Sequence, residues 1–460
     1  MRFDPERAAI RFGCGLSARH APPSDVAGML TRLQGQDHAA EMFPIPGFAP
    51  IHASLDEVGQ AVRKQRNGKT EAEREQGQEE RRAAVRRIRI TGAEWFRQSL
   101  LRRALGADGF RERLTQFWGD HFTAVGKGGP WQVAYLPYLE EAIRPHLSGR
   151  FADMLKAVIV HPMMLEYLDQ KRSVGPNSVA ALRNERLSGL NENLAREVME
   201  LHTLGAGGPY TQADVRQLAE LLTGLNYDRV EGFRFRPAFA EPGAEQVLGR
   251  SYGGETPQLS AIMTAMEDLA THPATARHIA RKLAVHFVSD QPDPDLISAM
   301  AARFEATGGN LPEVYAVLLD HPASWHDGPG NVKQPIDFVC SSLRALDLVP
   351  RHVPSGFGKL RRVFLGPMTL MGQSWGAPLG PDGWPEADDA WITPQRMAAR
   401  LQWGMTAPFT IRRLLPDPRE FVETALGRTV PEPVRFAAAS AETRAEAVGL
   451  VLASPAFQRM

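Results

Sequence analysis

A chain of 460 residues carrying 53 Lys and Arg against 53 Asp and Glu has no net formal charge, so its overall balance points neither to nucleic acid nor to an anionic membrane surface as partner. Its two cysteines, Cys14 and Cys340, lie far apart in no ligand-like spacing, which argues against a disulfide framework and against a cysteine zinc site. No window approaches the ~18 consecutive apolar residues of a membrane span.

The opening residues lack the apolar stretch and small-residue cleavage site of a secretory signal. The expected compartment is therefore the cytoplasm, with export beside a signal-bearing partner as the alternative. The length exceeds what one hydrophobic core usually fills, which favours two packed helical lobes or one large multilayered domain.

In chain order, residues 24 to 34 read as a short helix capped by Ser24 or Asp25, and Pro44, Pro46 and Pro50 then impose an irregular connection. Residues 55 to 90 are highly charged, with opposite charges three or four apart, which predicts a solvated helix; Gly68 and Gly77 mark it as a candidate mobile stretch. The expected division is an N-terminal helical segment, 1–92, and a main helical domain, 93–460. In the latter, helical patterns cover about 93 to 125, 138 to 170, 176 to 204, 211 to 226, 258 to 288, 294 to 306, 311 to 320, 333 to 347, 394 to 405, 418 to 427 and 440 to 453. Strand-like alternation is confined to short pieces such as Phe233-Arg-Phe-Arg, so the fold class is mainly α.

A His-Pro token recurs at His161, His272 and His321, each time after an apolar helical run. Proline suits the first turn of a helix, because its φ is preset and no amide hydrogen is needed there. The three tokens are expected at helix junctions and not in one histidine cluster.

Several blocks carry a family likeness. They are Arg11-Phe-Gly, Phe117-Trp-Gly-Asp-His-Phe, His161-Pro-Met-Met-Leu-Glu-Tyr-Leu-Asp, Gly175-Pro-Asn, Asn191-Glu-Asn-Leu-Ala-Arg-Glu-Val-Met-Glu-Leu-His-Thr-Leu-Gly, Ala280-Arg-Lys-Leu-Ala-Val-His-Phe, Val332-Lys-Gln-Pro and Gly383-Trp-Pro. In this order they resemble the domain-of-unknown-function 1800 family over most of the chain. The resemblance implies bacterial relatives, often exported, encoded beside proteins similar to alkaline-phosphatase-type hydrolases; it implies no activity. Many relatives have His-Glu-Pro-Gly where this chain has Ala240-Glu-Pro-Gly.

Placed on a helix at about 100° per residue, Leu190, Leu194, Val198, Leu201 and Leu204 form one stripe with Glu197 inside it. A carboxylate turned toward a core needs a partner, which predicts a buried Glu197 held by arginine, histidine or a metal. Glu200 is placed to share a proton or cation with it and Asn193 to offer an amide oxygen, while His202 stands near the opposite edge. Asp120 and His121, among three aromatics, are further acid, base or ligand candidates, although a histidine so placed is more often a core residue.

The segment 205–211 is glycine-rich and leads into a helix capped by Thr211, with Asp214 three residues on. Residues 371–391 form a long loop with Trp375, Trp384 and Trp391, expected to pack across helices and to border the cleft near the 191–204 helix; Trp375 and Trp384 are candidates for binding a ligand or partner, although loop tryptophans more often simply pin such a segment to the helices. No phosphate-binding loop or dinucleotide fingerprint occurs, so no nucleotide cofactor is indicated, whereas the paired acids are compatible with a divalent metal. Two functions follow: a binding or assembly partner of another bacterial protein, or a metal-assisted or acid–base hydrolase using Glu197, Glu200 and His121.

Overall fold

Charge pattern and capping turn the most polar part of the sequence into regular structure. The computed structural model describes residues 3–187, 189–328 and 330–460, and in it Ala49–Asn67 runs out while Glu71–Leu105 runs back against it. The turn is set by Thr70, whose hydroxyl accepts the Glu73 amide while the Glu73 carboxylate accepts the Thr70 amide. Gly77 is buried at the crossing, where a Cβ would lie 2.4 Å from the Gln65 amide nitrogen. Gly68 ends the first helix, and Gly77 lets the second approach it.

The chain is 64% helical. Two antiparallel strand pairs interrupt it, Leu225–Asp228 with Gly232–Phe235 and Gly243–Val247 with Arg250–Gly254. The helices Pro294–Ala306 and Leu311–Asp320 occupy the predicted residues. Longer predicted helices are divided where proline or glycine intervenes. Residues 258 to 288 become Leu259–Ala270 and Pro273–Phe287, and the stretch from 138 to 170 includes Leu139–Ile143, Phe151–Val160 and Pro162–Tyr167. In the span predicted as 176 to 204, the helices are Val179–Arg183 and Asn193–Glu197, the latter running into a π-helical turn at Val198–His202; residue 188 lies outside the described residues.

Each His-Pro token makes the same junction. The imidazole Nδ1 of His161, His272 and His321 accepts the amide two residues on, at 3.1, 3.0 and 3.3 Å, and the proline begins the next helical turn. Each ring thus serves its own helix start.

Buried apolar side chains from Ala8 to Phe457 form one connected core. The helix Glu71–Leu105 passes through positions 92 and 93 without a break, and the core draws on residues from both sides. A second small cluster, Val332, Trp384 and Trp391, lies beneath the tryptophan loop. Each large side chain fully buried in this way contributes roughly 1.5–3 kcal/mol.

Candidate functional site

The site is built where the C-terminal end of the helix Gly109–His121 meets the π-helical turn, the helix Pro273–Phe287 and the tryptophan loop. Both carboxylate oxygens of Asp120 accept the backbone amide of Trp384 at 3.0 Å. This close approach requires glycine at 383: its φ is +86°, and a Cβ would stand 2.6 Å from the Asp120 carboxylate. Burial, then the charge of Glu386, pushes the Asp120 carboxyl well above its ordinary range.

The helix Pro273–Phe287 presents His278, Lys282 and His286 at four-residue intervals along one face. Burial lowers the Lys282 pKa, and the opposing fields of Asp120, Glu386 and Asp382 only partly offset it. His286 Nδ1 contacts the Glu386 oxygens at 2.9 and 3.0 Å, and its Nε2 receives Arg113 at 3.2 Å. Burial raises the Glu386 carboxyl, but His286 and Lys282 more than reverse it. Arg113 is paired in turn with Asp337 at 2.7 Å, which also binds Arg103 at 3.0 Å. A continuous chain of hydrogen bonds and ion pairs therefore anchors the loop to the core.

On the other side, a helix end leaves carbonyls without intrahelical partners. Histidine nitrogens satisfy two of them: His278 Nε2 lies 3.0 Å from the Leu201 oxygen, and His121 Nε2 lies 3.2 Å from the His202 oxygen. Because a carbonyl only accepts, each Nε2 carries the proton and each Nδ1 does not. Buried Nδ1 atoms of His121 and His202 have no partner among the described residues. Burial pushes His202 down to about 3 and His278 to about 4, and puts His121 well below its ordinary value; the nearby Lys282 charge acts in the same direction on all three.

Glu197 departs from its predicted setting. It is half-buried, with no ion pair or side-chain hydrogen bond among the described residues, instead of deeply buried against an arginine or histidine. The buried face consists of Leu194, Ala195, Val198, Met199 and His202. Ala195 and Met199, omitted from the predicted stripe, shift its centre away from Glu197 and toward His202, which is 1% exposed and not at a free edge. Arg196 is committed to Glu192 and Glu200, at 3.1 and 3.2 Å. Desolvation, then the charges of Glu200 and Asp382, push Glu197 up to about 7.

The remaining sequence candidates separate. Asn193 is exposed, and its amide donates to Asn191. Trp384 is buried beside Trp391, and the Asp382 charge acts on both Glu197 and Tyr167, so the loop comes within charge range of the predicted helix. Trp375 instead packs on Phe96 and Tyr135, at ring distances of 5.3 and 5.8 Å. The glycine-rich segment ends in a capping box whose own Asp214 accepts the Thr211 amide. Among the described residues, no three His, Cys, Asp or Glu side chains converge in a way that would hold a metal ion.

The residues that sequence reasoning passed over are His278, Lys282, His286 and Glu386. A readable signal existed in His278, Lys282 and His286, three polar residues spaced by four on a helix that buries Ala276, Ile279, Ala280 and Leu283. The segments that meet here are those around Asp120, Leu201, Lys282 and Trp384, each from a block that carried the family likeness.

A family described as "Protein of unknown function (DUF1800)" matches residues 8–459. The chain belongs to the DUF1800 family. No curated protein and no solved structure matches it. As a DUF1800 member it receives a family but no reaction, and a functional reading has to come from the site itself.

Proposed function

We propose that this DUF1800 chain is an acid–base hydrolase whose proton-transferring carboxylate is Glu197. The observation that carries the reading is a half-buried acid that makes no ion pair among the described residues, its carboxyl pushed up to about 7 by desolvation and by Glu200 and Asp382 against the weaker pull of Arg196. A carboxyl at that value exchanges its proton near neutral pH, which suits general acid–base work. In the proposed step, ionised Glu197 takes a proton from water as the water oxygen bonds to the substrate's electrophilic centre. Asp120, raised by burial, gives a proton to the leaving group as that bond breaks. Lys282 supplies fixed positive charge for the developing oxyanion. Glu200 acts through its charge on Glu197, and His121 holds the end of the π-helical turn.

The test is hydrolysis of a panel of carboxylic esters, amides and phosphate esters by the wild type, Glu197→Gln and Lys282→Met. One class should be turned over, with rate rising through an apparent pKa near 7 and falling at least about 100-fold in Glu197→Gln. No turnover of any class, or an undiminished Glu197→Gln, defeats the reading.

A second reading, a binding or assembly partner, is favoured by one surface. Leu401, Met405 and Phe409 recur every turn along the helix Pro394–Ile411 and are 38%, 38% and 43% exposed. Its partner would be the alkaline-phosphatase-like neighbour that the resemblance implies. Sedimentation of the two purified proteins should show a complex that Met405→Glu abolishes; independent sedimentation would remove this reading.

A further inference from the structure

We infer that the face formed by the helix Glu71–Leu105 and the tryptophan loop binds a small anionic amphiphile, a carboxylate on a single apolar tail. The site is separate from the acid–base cluster. It consists of an apolar cavity of about 280 Å³ whose walls include Phe96, Val133, Tyr135, Leu365 and Trp375. A second, shallower hollow of about 350 Å³ adjoins it, sharing Arg89 and Phe357 and adding Arg81, Arg82 and Arg86. Phe357, at the join, is 40% exposed, and Ile90, in the shallower hollow, is 53% exposed.

The charge at this mouth is one-sided. Arg81, Arg82 and Arg86 have no carboxylate within ion-pair distance among the described residues, and Arg89 reaches only the Gln132 side-chain oxygen, at 3.1 Å. Neighbouring Arg87 differs, being paired with Glu57. Like charges one turn apart on a helix repel, as Arg82 and Arg86 do, and an anion placed between them relieves that repulsion. Guanidinium groups offer the paired donors that a carboxylate accepts.

The cavity sets the size of the tail. It lies near the ~300 Å³ lower limit of small-molecule pockets, which suits one alkyl or aryl tail and not a two-chain lipid. Charge complementarity fixes the head and volume fixes the tail, and together they select a free single-chain carboxylate.

Calorimetric titration with decanoate, below the concentration at which it forms micelles, tests this on the whole chain. Decanoate should bind at one site, with decan-1-ol and decyltrimethylammonium at least about tenfold weaker, a difference of about 1.4 kcal/mol. Arg86→Gln with Arg89→Gln should weaken decanoate by at least about tenfold and leave decan-1-ol unchanged, since both side chains are exposed and their loss leaves the core intact. Leu365→Trp, filling the cavity, should weaken all three. Absence of decanoate binding, equal binding of the cationic analogue, or an unchanged double variant overturns the proposal. So does binding to anionic phosphatidylglycerol vesicles that decanoate fails to displace.

Discussion

Arg113 sets the hydrogen-bond roles of the two His286 nitrogens. Its guanidinium stands 3.2 Å from His286 Nε2 and has no lone pair to offer, so Nε2 must accept and Nδ1–H must donate to Glu386. Arg113 also closes one side of Asp337, a carboxylate held below its ordinary range by Arg113 and Arg103 despite burial. Removing it should leave that charge half-paired. We expect Arg113→Met to lose about 3–5 kcal/mol in urea unfolding. A loss below about 1 kcal/mol would show that the arginine is dispensable to the chain of hydrogen bonds and ion pairs.

The three histidines around the π-helical turn predict acid lability. Their folded pKa values lie below the ordinary 6.5, at about 3 for His202 and about 4 for His278, so below 6.5 the unfolded state binds protons first. Stability should therefore fall as pH drops from 6.5 toward 3, by up to about 1.4 kcal/mol per pH unit for each histidine. His202→Phe should flatten the slope by about one proton's worth between pH 6 and 4, measured from urea midpoints across pH. A slope identical to wild type would mean that His202 titrates normally.

The sign reverses for Glu197. Its folded pKa, about 7, lies above the ordinary 4.5, so the folded state holds the proton more tightly. The stability it contributes is present below 4.5 and is lost as pH rises through about 7. Glu197→Gln removes that titration, and the variant should be more stable relative to wild type at pH 8 than at pH 5. Equal differences at the two pH values would place the carboxyl in ordinary solvent.

Much of this fold was legible because its boundaries are chemical. Thr211 with Asp214 and each His-Pro pair name a helix start by the hydrogen bonds they make. The site was legible only in part. Asp120, His121, Glu200 and Trp384 were found as polar or aromatic exceptions, but their neighbours Lys282 and Glu386 come from segments more than 160 residues beyond Asp120 in the chain. Periodicity describes one helix at a time and carries no information about which helix lies opposite. The placement of Glu197 failed locally, because alanine and methionine were not weighed in locating the buried face.

Gly77 tests the charged hairpin. Its absent side chain allows the Gln65 backbone to approach, and Ala61 O would also lie 2.9 Å from a Cβ there. Helix propensity alone favours alanine over glycine by up to about 1 kcal/mol. The overlap with backbone, which cannot rotate away, should outweigh that gain. We expect Gly77→Ala to destabilise by about 1–3 kcal/mol and to raise amide exchange across residues 49–90. A stabilised variant would show that the two helices separate at little cost.

The tryptophan loop joins structure to chemistry through Trp384. Its indole packs on Trp391 and Val332 in a cluster separate from the main core, while its amide binds Asp120 and the nearby Asp382 charge helps to hold Glu197 at about 7. Truncating a tryptophan in the main core costs about 3–5 kcal/mol. In this satellite cluster the loop can loosen while the helices beneath stay packed, so Trp384→Ala should lose less than that in global unfolding. The loosened loop should also withdraw the Asp382 charge. The Glu197 midpoint should then fall below about 7, with desolvation and the Glu200 charge still holding it above its ordinary range, as followed by carboxyl chemical shift, and amides of 380–391 should exchange faster. A full core-like loss of stability with unchanged loop protection and an unchanged Glu197 midpoint would make Trp384 an ordinary packing residue and disconnect the loop from Glu197.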